Sequence, residues 1–238
     1  LLARFGSSTL LGKAVELYGP AVETLDVEGR ITVSSMATEM GAIAVFIAPD
    51  ATVADWFARH SGRKVDIISA DADASYEAEY VLDVTDLPAL VAAPPSPANV
   101  KPVSELKDVA VQSAFFGSCT NGRTSDFRAA ARILSSRRIK EGVVAYAVPA
   151  TRRVYAELLA EGLVNSLFAA GIIVSNCGCG GCAQGQIGMT GAGEVQVSTS
   201  NRNFPGKQGA GKTYLCSPAT AAASALMGRL VDPREVEV

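Results

Sequence analysis

The amino-acid sequence predicts an α/β protein with two domains, in which mainly parallel sheets are covered by helices. Three observations support this prediction. Apolar runs of strand length alternate with helical segments that carry capping residues, as in parallel sheets buried on both faces. A proline-rich stretch interrupts this alternation near the middle of the chain. The length of 238 residues, 48% of them hydrophobic, suffices for one large domain or two small ones.

The sequence predicts that the first part of the chain forms two short strands and two helices. The runs KAVELY (13–18) and AVFIAP (44–49) have strand character. Between them, EGRITVSSMATEMGA (28–42) repeats apolar residues every three or four positions, which is typical of a helix. Asp50 with Thr52 can cap a second helix, VADWFARH, which Gly62 ends. His60, the single histidine, falls in the last turn of that helix, where we expect it to have a surface or capping role.

The stretch LPALVAAPPSPANVKPV (87–103) holds five prolines, a density that disfavours both a regular helix and a central strand. We therefore expect a linker at 96–101. It would separate an α/β domain over 1–95 from a second α/β domain over 102–238.

The second part of the chain repeats a strand, loop and helix pattern. Four apolar runs read as strands: VAVQSAFF (109–116), VVAYAVP (143–149), GIIVS (171–175) and VQVST (195–199). A helix is expected from about Ser125 to Leu134, and another over TRRVYAELLAEGL (151–163), with Thr151 as its cap and Gly162 as its stop. The last helix opens with Ser217 and Pro218, and its alanine-rich face predicts close packing against a neighbour.

Several classes of function are disfavoured by composition. The net charge is −3, and no run of Lys and Arg reaches five residues, so a basic nucleic-acid-binding face is not expected. No apolar run approaches the roughly 20 residues of a spanning helix, and the chain opens without a signal-peptide pattern. We expect a cytoplasmic protein without membrane partners. Because the chain begins at Leu1 and its first methionine is Met36, we expect a fragment or a missing start.

Polar loops follow three of the predicted strands. They are GSCTNGR (117–123), NCGCGGCAQG (176–185) and STSNRNFPGKQG (198–209). In a parallel α/β sheet, loops at the carboxyl ends of strands form the functional crevice. The sequence therefore predicts that these three loops converge on one site.

The five cysteines all lie in the second half of the chain, and their number is odd, which disfavours a disulfide scaffold. Cys179 and Cys182 have the CxxC spacing, and the first loop delivers Cys119. Three thiolates without histidine suit an iron–sulfur cluster, whereas tetrahedral zinc would need a fourth ligand, for which Cys177 is available. The CxxC pair alone equally suits a zinc site or a redox dithiol.

These motifs together resemble the aconitase superfamily, more closely its isopropylmalate dehydratase and homoaconitase branch. GSCTNGR, CGGCAQGQIG and STSNRNFPGKQG match its cluster and substrate motifs in family order, and SPATAAASA and EGRITVSSMATEMGA are also similar. The resemblance covers nearly the whole chain. It implies the middle and cluster-bearing domains of a large subunit that dehydrates and rehydrates a hydroxy di- or tricarboxylic acid, most closely 3-isopropylmalate.

The resemblance also implies a set of site residues. Cys119, Cys179 and Cys182 would hold a [4Fe-4S] cluster, with the fourth iron open to substrate. Asn201 would hydrogen-bond near the cluster, while Arg202 and Lys207 would bind the carboxylates of a small polycarboxylate. Independently of the resemblance, Arg202 offers a planar pair of donors that matches a carboxylate. The role implied for Glu39 is catalytic, since it would help to place the leaving water.

Some features depart from the family pattern. Lys207 replaces a second arginine, Ser35 an asparagine, and Cys177 what is generally a proline or another residue that does not bind the cluster. The resemblance further implies an N-terminal domain with His and Asp residues, and a swivelling domain or small subunit that supplies a serine base. Neither is in this chain, so we expect it to be inactive alone.

Rival functions remain open at this point. Aconitase, homoaconitase and a dimethylmalate-type dehydratase share the motifs. A non-catalytic binding protein could instead use four cysteines to hold zinc, or a cluster with every iron bound by a cysteine, as a structural element that stabilises the fold. A dithiol redox protein built on Cys179 and Cys182 is disfavoured, because the sequence around the pair is not thioredoxin-like.

Overall fold

The described residues, 1–236, form two units in the computed structural model. The smaller unit is Ser8–Leu87, and the larger comprises Leu1–Ser7 and the residues from Pro88 onward. The strands are β1 (Ala14–Glu16), β2 (Ala44–Phe46), β3 (Leu90–Ala92), β4 (Val100–Pro102), β5 (Ser113–Gly117), β6 (Val144–Val148), β7 (Ile172–Val174), β8 (Val195–Ser198) and β9 (Lys212–Cys216).

The α-helices are α1 (Leu2–Phe5), α2 (Pro20–Glu23), α3 (Val27–Ser35), α4 (Ala51–Ser61), α5 (Ser118–Asn121), α6 (Thr124–Leu134), α7 (Arg152–Ala160), α8 (Leu163–Ala169) and α9 (Pro218–Met227). Short 3-10 turns lie at Ala37–Met40, Val103–Leu106, Gly180–Cys182 and Pro233–Glu235. Within residues 1–236, none of the helices combines the length and the hydropathy needed to cross a bilayer.

The smaller unit is built around a parallel pair of strands, β1 and β2, with α3 between them in the chain. As predicted, Asp50 caps α4 by accepting a hydrogen bond from the backbone of Val53 (3.1 Å), and Gly62 ends the helix in the left-handed conformation. The other carboxylate oxygen of Asp50 accepts from Nη2 of the buried Arg30 (2.5 Å). Asp50 therefore joins α4 to α3.

Removing the Asp50 carboxylate should lower the stability of the smaller unit. For Asp50→Ala we expect a loss of about 0.5–2 kcal/mol from the helix cap, because an orphan helix N–H loses its acceptor. Trp56, the only tryptophan, lies in α4, so its fluorescence during urea unfolding reports on this region. Asp55→Ala, an exposed carboxylate on the same helix, is the control and should leave the midpoint nearly unchanged.

The same variant has an expected pH dependence. The hydrogen bond from Arg30 holds the pKa of the Asp50 carboxyl below its usual range. A lowered folded-state pKa contributes stability above the unfolded value of about 3.9, and the contribution is lost as pH falls through the folded value. The stability gap between the wild type and Asp50→Ala should thus be full at neutral pH and shrink in strong acid. A gap that grows in acid would contradict this assignment.

The larger unit contains a seven-stranded sheet in the order β4-β3-β9-β8-β5-β6-β7. Strands β9, β8, β5, β6 and β7 are mutually parallel, while β3 and β4 are antiparallel additions at one edge. The apolar runs predicted β5, β6, β7 and β8, whereas β9 was not predicted. Helix α9 packs against α6, β5 and β8, and its residues Thr220–Ala225 are buried. The alanine-rich face therefore packs closely, as expected.

The predicted linker at 96–101 is a structural part of the larger unit. The proline-rich stretch folds as the hairpin β3–β4, paired by Val91 opposite Lys101, and the two units divide between Leu87 and Pro88. The hairpin tolerates its prolines because of where they lie. Most of them are outside the strands or in the turn, and Pro102 ends the edge strand β4, where no backbone N–H is needed for a hydrogen bond to a further strand. Proline density excluded a central strand but not an edge hairpin.

Candidate functional site

The three polar loops follow parallel strands of one sheet. They follow β5, β7 and β8, and β6 lies between β5 and β7. Because these strands run in the same direction, their carboxyl ends lie at the same edge. The structure thus brings the motifs together at one edge of the larger unit.

The first loop is tied to the third by hydrogen bonds. The amide of Asn121 donates to the carbonyl of Thr199 (2.7 Å), and the backbone N–H of Gly117 donates to Oγ1 of Thr199 (2.8 Å). The hydroxyl of Thr120 donates to Oδ1 of Asn201. These bonds place Asn201 directly beside the short helix α5, which carries Cys119.

Cys119 lies exposed on α5. Its carbonyl accepts a hydrogen bond from Nη2 of Arg123 (2.8 Å). The backbone that carries this thiol is therefore anchored while the thiol itself stays accessible.

The second loop makes a tight turn over the buried ring of Phe115. The backbone N–H of Cys182 donates to the carbonyl of Cys179 (3.3 Å), which closes the turn. Gly180 lies against the ring at φ +53°, and a Cβ there would approach Cε2 and Cζ of Phe115 to 2.6 Å. Glycine at position 180 therefore allows the loop to contact the core, and glycine at 181 leaves room for the backbone of Gly188.

Gly180→Ala should displace the CxxC turn. The added methyl would clash with Phe115 and also come within 2.9 Å of Cγ2 of Val148, so the loop must move outward. On the iron–sulfur ligation that the sequence resemblance implies, we expect this variant to fold but to retain several-fold less iron per chain after anaerobic reconstitution. Gly185→Ala is the matched control, since Gly185 also has a positive φ (+77°) but open space around it. Equal iron loss in both variants would assign the effect to backbone strain rather than to the clash.

The three cysteines and two cations act on one another electrostatically. Burial raises the pKa of the Cys182 thiol, and the nearby Cys119 and Cys179 raise it further, while Lys207 and Arg202 lower it. Coulombic effects of this kind require proximity. The site therefore combines three thiols with two positive charges from the third loop.

The third loop is held by buried polar side chains. The amide of Gln208 donates to the carbonyl of Arg202 (2.6 Å) and accepts from the hydroxyl of Ser198 (3.0 Å). The amide of Asn203 donates to the carbonyls of Ala92 and Thr213, each at 3.1 Å. The loop that carries Arg202 and Lys207 is consequently fixed to the sheet on both sides.

Two further cysteines lie near these elements. Cys177 is half-buried at the start of the second loop, and Cys216 ends β9, where burial raises its pKa to about 12. All five cysteines are free thiols. Within residues 1–236, no group of three or more His, Cys, Asp or Glu side chains surrounds a single metal-ion position.

Three residues that the sequence singled out belong to the smaller unit. Glu39 is buried in the 3-10 turn Ala37–Met40, and the hydroxyl of Thr38 lies 3.4 Å from its Oε1. His60 is exposed on α4, where Nδ1 hydrogen-bonds the carbonyl of Trp56 (2.6 Å) and the two rings stack with centroids 4.2 Å apart. Its surface role is thus confirmed. Ser35 donates to the carbonyl of Ile31 (2.6 Å) within α3.

Gln208 and Arg123 were not singled out from the sequence, although both hold site loops. Gln208 lies inside the quoted third motif, but a glutamine in a loop ordinarily faces solvent, so its burial was not foreseeable. The one sequence signal for a role in the site was that Gln208 lies in the same polar loop as Arg202 and Lys207.

Comparison with known proteins identifies the family. The model of the family described as "Aconitase family (aconitate hydratase)" matches residues 1–110 and 100–228 of this chain. The chain is 42% identical over 238 residues to the 3-isopropylmalate dehydratase large subunit of Sulfurihydrogenibium sp. (strain YO3AOP1), covering 99% of this chain and 55% of that protein. Proteins with the same description from Caldivirga maquilingensis and Nitratidesulfovibrio vulgaris are 44% and 43% identical, covering 99% and 98% of this chain and 57% and 56% of theirs.

The chain therefore spans about half the length of the curated relatives it matches. The two family matches together extend over nearly all of the described residues and include the three loops at the sheet edge. The chain belongs to the aconitase family.

Proposed function

We propose that this chain is the cluster-bearing part of a hydro-lyase of the 3-isopropylmalate dehydratase type. Its reaction would be the reversible removal and addition of water on a hydroxy dicarboxylic acid. The observation that carries the proposal is the placement of three free thiols, Arg202 and Lys207 on loops that follow β5, β7 and β8 at one edge of the sheet. The printed names of the relatives support the substrate class.

The donor set fits a [4Fe-4S] cluster. Thiolates are the ligands that iron–sulfur clusters use, and Cys119, Cys179 and Cys182 are all free thiols on loops at the same edge. A cluster spreads its ligands over several irons, so they need not surround one point as the ligands of a single ion must. When bound, the cluster would supply a Lewis acid, because an iron without a protein thiolate keeps an open coordination position.

Arg202 and Lys207 would bind the substrate carboxylates. Both lie close enough to Cys182 to lower the pKa of its thiol, so a substrate at the cluster would be within their field. Arg202 can donate two parallel hydrogen bonds to one carboxylate, whereas Lys207 supplies a point charge. Asn201, which accepts from Thr120, would orient its amide toward the same region. Their joint effect would be to fix the acid in one orientation.

Proton and water handling would need further residues. On the resemblance, we assign Glu39 to the placement of the leaving water, and its burial suits a carboxylate that does not act as a surface charge. The serine base would come from a small swivel subunit or domain, consistent with relatives described as large subunits. A preceding N-terminal domain would complete the set. Activity would therefore belong to the assembly rather than to this chain alone.

Anaerobic reconstitution with iron and sulfide tests the proposal. We expect a brown protein with about four irons per chain and broad visible absorption. The complete assembly should then interconvert 3-isopropylmalate and its dehydrated product. A colourless protein that takes up one zinc instead would support a structural metal site and overturn the proposal.

A further inference from the structure

Gln208 is a buried glutamine whose side-chain amide makes hydrogen bonds through both its nitrogen and its oxygen. It is 2% exposed, its Nε2 donates to the carbonyl of Arg202 (2.6 Å), and its Oε1 accepts from the hydroxyl of Ser198 (3.0 Å). Ser198 is the last residue of β8. The amide therefore links the end of a central strand to the peptide group that follows Arg202.

The main chain of Gln208 is held as firmly as its side chain. Its carbonyl accepts two hydrogen bonds from Thr190, one from the backbone N–H (2.8 Å) and one from the hydroxyl (2.7 Å). A side chain whose own backbone is fixed can act as a rigid brace.

Asn203 fixes the other side of Arg202. Its side chain, 3% exposed, donates to the carbonyls of Ala92 in β3 and Thr213 in β9. The peptide between Arg202 and Asn203 is consequently bound by Gln208 through its carbonyl and anchored by Asn203 to two strands. Little backbone freedom remains where the Arg202 side chain begins.

We propose that Gln208 is a positioning residue that sets the direction of the Arg202 guanidinium toward the substrate carboxylate. This inference rests on the proposed function, in which Arg202 binds that carboxylate. Two parallel hydrogen bonds to a carboxylate need the guanidinium plane within a narrow range of orientation. If the Arg202 carbonyl loses its donor, the peptide can rotate, and the guanidinium at the end of a long side chain moves with it.

Gln208→Met tests the role, because methionine has a similar length but no amide. In the complete, cluster-loaded assembly we expect the Kd for succinate, measured by calorimetry, to rise about tenfold. Succinate is a suitable probe since it is a dicarboxylate without a hydroxyl and cannot be dehydrated. We expect KM for 3-isopropylmalate to rise equally, with kcat changing less than about twofold and iron content unchanged.

Gln112→Met is the matched control. Gln112 accepts from the backbone N–H of Val195 (2.9 Å), at the opposite end of β8, so the same substitution removes a glutamine bond to the same strand far from the loop. We expect it to leave the Kd for succinate unchanged. If Gln208→Met fails to fold, Ser198→Ala is the second variant. It removes the donor to Oε1, together with the hydrogen bonds of the same hydroxyl to the hydroxyl (2.6 Å) and backbone N–H (3.2 Å) of Ser200, and it should raise that Kd about threefold.

A double-mutant cycle decides whether Gln208 acts through Arg202. In an Arg202→Ala background, Gln208→Met should change the Kd for succinate by less than about twofold, since no guanidinium is left to orient. The full tenfold effect in both backgrounds would overturn the positioning role while leaving Arg202 as a substrate ligand. An unchanged Kd for Arg202→Ala itself would show that the substrate assignment is wrong, and the role of Gln208 would fall with it. Wild-type Kd in both Gln208→Met and Ser198→Ala would also overturn the inference.

Discussion

Each of three single substitutions, Cys119→Ser, Cys179→Ser and Cys182→Ser, should abolish retention of the iron–sulfur cluster. Removing one of three thiolates leaves a cluster attached at two points, and a serine hydroxyl is a harder, far less acidic ligand than a thiol. The loops that carry these residues are held independently of the thiols, Cys119 by Arg123 and the CxxC turn by contact with Phe115. Each variant should therefore fold and lose only the cluster.

The measurement is iron and sulfide per chain after anaerobic reconstitution, together with visible absorption. Cys177→Ser and Cys216→Ser are the controls. Cys216 packs against the core at the end of β9, and Cys177 precedes the CxxC turn, so both should retain a full iron content. Thermal unfolding of each apoprotein separates loss of ligand from loss of fold.

One pattern of results would reverse the ligand assignment. If Cys177→Ser holds no iron while Cys119→Ser remains brown, then the second loop supplies three ligands and the first supplies none. Retention by all four single variants in the two site loops would instead indicate that a fourth thiol substitutes for any one that is lost.

Several elements could be predicted because local chemistry decides them. Helix α4 begins after Asp50 and ends at Gly62, Thr151 caps α7, and Ser217 caps α9. Each of these residues satisfies a terminal backbone group that has no partner in the regular helical hydrogen-bond pattern. Four of the five parallel strands, β5 to β8, were equally predictable, because burial on both faces requires continuous apolar runs. The gathering of the three loops at one edge then follows from strand direction alone.

Other elements depend on partners distant in sequence. Helix α8 was not predicted, because Gly162 read as a stop and Asn165 and Ser166 are weak helix formers; packing on β7 supports it. The hairpin β3–β4 was read as a linker, since its pairing with β9, more than 100 residues later, leaves no local signal. The burial of Gln208 belongs to this second group, since it depends on Thr190 and Ser198 together.

Arg202→Lys in the complete assembly should weaken substrate binding while leaving the cluster spectrum intact. Lysine keeps the positive charge but replaces two parallel donors by a point charge, so one charge-assisted hydrogen bond to the carboxylate is lost. That loss is worth about 1.5 to 3 kcal/mol, or roughly 10- to 150-fold in kcat/KM. Steady-state kinetics at matched iron content gives the measurement, because loss of iron would otherwise imitate loss of binding.

Lys207→Arg is the complementary variant, and it should be tolerated. It keeps the charge that acts on Cys182 and introduces the arginine that the family resemblance implies at this position, so kcat/KM should stay near the wild-type value. One substitution replaces a guanidinium by an ammonium group, and the other does the reverse on the same loop. Comparing them therefore separates the effect of two parallel hydrogen bonds from the effect of the positive charge. A wild-type kcat/KM for Arg202→Lys would remove Arg202 from the substrate site and leave it a structural residue of the loop that Gln208 holds.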